Sequence, residues 1–163
     1  MLMIAVLLLA TTACEDPRPN QREDNIFDPA NSFVRFNYDN TINTPAEDSV
    51  FLSRLELDTV EVPVALSAPP QETEVLLSFA LTTEGDLTEG IHFDLLGENG
   101  EPLDDGRIVL PPGKFDFFIT YFEKDTLPPG RHRVILELES ASPDFHLGFP
   151  GSGRGRRFDI INE

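Results

Sequence analysis

The sequence has no tryptophan, a single cysteine, and only two lysines, Lys114 and Lys124. A lone cysteine excludes an internal disulfide and the paired thiolates of a structural zinc site. The three histidines, His92, His132 and His146, lie far apart in the chain and show no metal-ligand spacing. Positive charge is also scarce. Twelve basic residues against 29 acidic ones leave a formal charge of −17, a surface that repels nucleic-acid phosphates and anionic lipid headgroups. No GxSxG or Ser-Xaa-Xaa-Lys motif marks a nucleophile. With 29 acidic residues some carboxylate pair is inevitable, so their number does not argue for glycoside hydrolysis. The glycine-rich PGSGRGRR at 150–157 lacks the Lys-Ser/Thr ending of a phosphate loop and reads as a flexible hairpin loop. Its Arg154, Arg156 and Arg157 form the one basic spot, read as offsetting local acids. Without tryptophan, the usual aromatic sugar platform is not expected, and the thirteen phenylalanines are assigned to the core. These exclusions point away from an enzyme.

What is present begins with MLMIAVLLLATTA at 1–13, an apolar run fading into small residues before Cys14. It is shorter than the roughly 20 residues a membrane-spanning helix needs and has the form of a secretory signal peptide. The sole cysteine directly after Ala13 resembles the bacterial lipobox, which implies lipidation of Cys14 and a membrane anchor. An ordinary exported chain with a stray thiol is the less favoured alternative. Residues 14–32 are polar and proline-rich and read as a tether. The acidic pair Glu15–Asp16 resembles the sorting signals of Bacteroidetes-type surface lipoproteins, which implies an outer-membrane location.

Residues 33–163 read as one all-β domain. In TVEVPVAL (59–66), Val60, Val62, Val64 and Leu66 alternate with Thr59, Glu61, Pro63 and Ala65, the period of a half-buried strand. Pro63 lacks a ladder donor, which predicts an edge or a bulge there. Alternation also marks 33–38, 75–81 and 132–139, with shorter candidates at 92–96, 107–110 and 158–161. Segment 115–122, FDFFITYF, is apolar on both faces and is expected at the centre of a sheet. Phe115, Phe117, Ile119 and Tyr121 form its main buried row. Turn signals separate these runs, including two Leu-Pro-Pro-Gly sequences at 110–113 and 127–130. Seven to nine short antiparallel strands with regular turns predict a two-sheet β-sandwich.

Within 88–139 the order of features runs Glu89-Gly90-Ile91-His92-Phe93, a variable loop, a short strand, the turn Pro111-Pro112-Gly113, and an alternating strand ending in Glu123-Lys124-Asp125. This order resembles Calx-β domains, and more so the Calx-β-like domains of Bacteroidetes-type surface lipoproteins. The resemblance implies an immunoglobulin-like sandwich in an exported setting. It also implies a possible Ca²⁺ site on Glu123 and Asp125, joined by Glu84, Asp86 or Asp39. Ca²⁺ takes six to eight oxygen ligands, and His92 stands where the family has Asp, so solvated surface acids are the favoured reading.

The functional expectation is a non-enzymatic, lipid-anchored accessory or adhesion-type module at the cell envelope. It would contact another envelope protein or an extracellular polymer through loops 84–91, 97–106 and 123–131. A Ca²⁺-binding domain and, behind it, a carbohydrate-active hydrolase are the alternatives.

Overall fold

The computed structural model describes residues 32–37, 49–53, 58–103 and 106–162. The leader, Cys14, most of the expected tether and Asp39 lie outside the described residues. Ten strands follow in order: β1 (Phe33–Phe36), β2 (Ser49–Leu52), β3 (Thr59–Ser67), β4 (Val75–Glu84), β5 (Phe93–Leu96), β6 (Arg107–Leu110), β7 (Asp116–Glu123), β8 (His132–Ser142), β9 (His146–Leu147) and β10 (Arg157–Asn162). They form two five-stranded sheets. The front sheet has the order β5-β7-β3-β1-β9 and the back sheet β2-β10-β8-β4-β6. The chain is a two-layer β-sandwich.

The alternating rows read from the sequence are the rows that face inward. Val60, Val62, Val64 and Leu66 of β3, Val75, Leu77 and Phe79 of β4, and Val134, Leu136 and Leu138 of β8 are all buried between the sheets. Phe36 and Phe158 meet across the layers with ring centroids 6.1 Å apart. Removing such rows from water is the main stabilising term of a sandwich, at about 25 cal/mol per Å² of apolar surface.

Two short strands, β2 and β9, come in addition to the expected set. Each runs parallel to its neighbour, β2 beside β10 and β9 beside β1, while the other pairings are antiparallel. Pro63 is a correction. It lies neither at an edge nor in a bulge, because β3 is the middle strand of the front sheet and Pro63 pairs with Phe118 of β7. The missing donor is tolerated because Pro63 faces the side where the β1 ladder ends. Asn37 donates its N–H to the Pro63 carbonyl at 2.8 Å, and β1 stops at Phe36. The irregularity sits instead in β4, where the register against β8 shifts between Ser78 and Phe79. Phe115 is a second correction: it precedes β7 and is exposed.

The first Leu-Pro-Pro-Gly sequence makes the expected turn, with Lys114 N–H on the Pro111 carbonyl at 3.1 Å and Gly113 at φ +75°. Gly106, at φ +63°, leads the chain into β6 so close to β4 that a β-carbon would stand 2.2 Å from the Phe79 carbonyl oxygen. Only glycine fits there.

The registers place the strand ends. Ser32 ahead of β1, the β3–β4 turn and the β6–β7 turn lie at one end, called upper. Loops 85–92 and 124–131 and the close of β10 lie at the lower end.

Candidate functional site

The lower end gathers most of the residues singled out from the sequence. The inward row of β7 runs Phe117, Ile119, Tyr121 and then Glu123, a residue only 2 % exposed. A buried carboxylate needs hydrogen-bond donors, and three reach it. The Asp58 N–H donates at 3.2 Å, the Tyr121 hydroxyl at 3.4 Å, and the Asn162 side-chain amide also donates. Asn162 closes β10 in the back sheet, so Glu123 fastens the two layers together at this end. Burial pushes the Glu123 carboxyl above its ordinary value, and the three donors oppose that rise. Burial and the neighbouring carboxylate push the Tyr121 phenol up as well.

His132 opens β8 opposite Asn162 and is buried on the inward row. Its Nε2 lies 2.7 Å from the Pro128 carbonyl, which ties the second Pro-Pro-Gly turn to the strand. Its Nδ1 is buried without a hydrogen-bond partner, as is Oδ1 of Asn162. Gly85, at φ +91°, packs on this imidazole, and a β-carbon there would stand 2.4 Å from Nδ1.

The two lower loops are laced together around this cluster. Lys124 donates its N–H to the His92 carbonyl at 3.0 Å and its ammonium to the Gly90 carbonyl at 2.7 Å, and it pairs with Asp94 at 2.8 Å. The Thr126 hydroxyl donates to the Ile91 carbonyl. His92 accepts the Thr88 N–H on Nδ1 at 2.8 Å and so closes its own loop. Glu89 is held above its ordinary range by burial, opposed by the Leu95 amide and reinforced by Asp94.

The structure does not bring Glu123 and Asp125 together as ligands. Glu123 points between the sheets, while Asp125 lies exposed on the following turn. Glu84 pairs with Arg133 at 3.5 Å, and Asp86 is exposed. Among the described residues no group of three or more His, Cys, Asp or Glu side chains is placed to hold a metal ion.

The loop read as contact surface 97–106 follows β5 and precedes β6, and the structure describes its residues 97–103 and 106. Its described part, with Arg107, Ile108, Val109 and Phe117, walls a groove of about 420 Å³. The glycine-rich segment 150–157 is a tight crossing from the front sheet to the back one, not a hairpin between paired strands. Phe149 and Arg154 bond through their main chains at 2.8 Å, and Gly155 accepts the Phe36 N–H at 2.7 Å. Arg156 pairs with Glu137 at 3.2 Å and Arg157 with Asp159 at 2.8 Å.

Sequence reasoning assigned all phenylalanines to the core, and here the structure corrects it. Phe118 and Phe122 stand on the outer face of β7, 37 % and 42 % exposed. The signal for them was in FDFFITYF, whose two apolar rows cannot both face one core. Placing the segment between β5 and β3 covers its edges and leaves its outer row to the solvent. No protein-family model matches this chain, and no curated protein matches it.

Proposed function

We propose that this chain is a non-enzymatic, lipid-anchored binding module of the bacterial cell envelope, built on an immunoglobulin-like sandwich of the Calx-β-like kind. The observation that carries the anchored address is the apolar run 1–13 ending at the only cysteine, followed by a polar, proline-rich stretch. A binding role is supported by how the buried ionisable groups are engaged. Glu123 and His132 are tied to main-chain and side-chain groups of neighbouring elements, where they join loops to strands. Loops held on a rigid scaffold are the common seat of recognition. The acidic surface directs that recognition away from nucleic acid and anionic lipid.

Cys14→Ala expressed in a bacterial host tests the address. The unaltered chain is expected to incorporate labelled palmitate and sediment with membranes, and the variant to do neither. Labelling that persists in the variant overturns the lipid anchor. Ca²⁺ dependence is tested by melting the protein in EDTA and in millimolar CaCl₂, and equal melting temperatures are expected.

A further inference from the structure

We infer that the outer face of the front sheet binds an extended, uncharged polysaccharide, laid along β7 across the rings of Phe118 and Phe122. This rests on the binding-module reading and names its ligand class. The outward row of β7 is Asp116, Phe118, Thr120 and Phe122. Residues four apart on a strand face the same way about 13 Å apart, so the two rings form a line along the strand. That span suits an oligosaccharide, not a single sugar. Both rings are more than a third exposed, whereas Phe117, Ile119 and Tyr121 on the opposite row are buried.

The polar frame of the rings is rich in acceptors. Thr120 between them lies between Glu61 of β3 and Leu96 of β5, and Phe122 lies between Thr59 of β3 and Asp94 of β5. Phe118 lies opposite Pro63, which extends the apolar surface sideways. Glu98 borders it, accepting the Phe118 N–H at 3.2 Å. The two lysines of this border are already engaged, Lys114 with Glu98 and Lys124 with Asp94.

A pyranose ring presents an apolar C–H face and a rim of hydroxyl donors. The C–H face matches the electron-rich face of phenylalanine. The hydroxyl rim matches carboxylate and threonine oxygens, and hydrogen bonds to ionised acceptors are the stronger ones. Charge selects among polymers, because a chain carrying −17 repels polyanions. Self-association is the poorer fit, since a stable interface buries about 800 Å² per partner and this face offers two part-exposed rings in a charged frame. β7 is paired on both sides, so the rings sit on rigid backbone and little ordering opposes binding.

The test is affinity electrophoresis and pull-down of the full chain in detergent. The probes are cellulose, mixed-linkage β-glucan, xylan and mannan, with polygalacturonate as the charged control. At least one neutral polymer is expected to retain the protein. Phe118→Ala and Phe122→Ala should each weaken retention by about tenfold and together abolish it, with an unchanged far-ultraviolet spectrum, while Phe118→Tyr should keep it. Retention undiminished in the double variant overturns the proposal but leaves a binding module that uses another surface. So does retention by polygalacturonate alone. Self-association that is lost in the double variant overturns it in favour of a second copy of this chain. No retention together with an envelope protein captured by cross-linking on intact cells overturns the ligand class alone. No retention and no captured partner overturns both readings.

Discussion

The two outer faces of the sandwich are built by the same alternation, and their internal strands carry different side chains. On the back sheet the outward positions at the β8–β10 pair carry Arg133, Arg157 and Asp159. Asp159, only 7 % exposed, accepts from both arginines, and Glu84 approaches Arg133 from β4. On the front sheet the corresponding positions of β7 carry phenylalanine, left open. At the β8–β10 pair the outward charges are satisfied by their own neighbours, whereas the outward row of β7 carries two part-exposed rings. Elsewhere on the back face Phe51, Leu76 and Val109 stand open as well. An outward row reads the same in sequence whether its side chains pair across the ladder or stay part-exposed. The partners across the ladder decide which.

Substitutions can break or sharpen this contrast. Phe158→Ala, which empties a fully buried site between the layers, sets the scale and should cost about 3–5 kcal/mol in denaturant unfolding. On the back face, Asp159→Ala leaves two arginines without their shared carboxylate. The arginines are a third to a half exposed, so solvent screening reduces the loss to about 1–3 kcal/mol. On the front face, Phe118→Ala and Phe122→Ala should each cost about 1 kcal/mol or less, because much of each ring is already in water. If the front-face changes destabilise as strongly as Phe158→Ala, the two faces are not different in kind.

The lower end adds a pH test. The Glu123 carboxyl is raised above 4.5 in the folded chain, chiefly by burial. The folded state therefore holds that proton more tightly than the unfolded chain. The resulting stability is complete below the unfolded value and is lost as pH rises through the folded one. Glu123→Gln removes this dependence, and a rotated Asn162 amide would offer its unpartnered Oδ1 to the new side-chain N–H₂. The melting temperature of the variant relative to the parent should therefore climb between pH 4 and pH 7. A constant difference across that range would show that burial does not penalise the carboxylate.

Much of the architecture was legible because burial imposes period two on the long strands. β3, β4, β7 and β8 announced most of their inward rows, although β4 and β8 run on to Glu84 and Ser142, past the ends read from the sequence, and Phe115 falls outside β7. β2 and β9 did not, since four and two residues are too few for alternation to emerge. Pro63 misled because its tolerance depends on where β1 stops, and that register is set by residues some thirty positions away. The site was harder to read. Glu123 reads from the sequence as a solvated surface acid, with Ca²⁺ ligation the alternative, because acids at strand ends are usually solvated. Its parity with Phe117, Ile119 and Tyr121 was nevertheless in the sequence and pointed inward. Tyr121 is its neighbour on the same row, but its other donors, Asp58 just ahead of β3 and Asn162 of β10, are contacts that no local pattern encodes.

The parallel pairing of β1 with β9 has a mechanical consequence. β1 is gripped by β3 on one side and β9 on the other, and the chain leaves it at the upper end through Ser32. A pull between that exit and a partner holding the lower loops acts along the strand axis. The ladder bonds on both flanks then bear the force together instead of peeling one at a time. Under the proposed anchor at Cys14, such a pull would load β1 in shear.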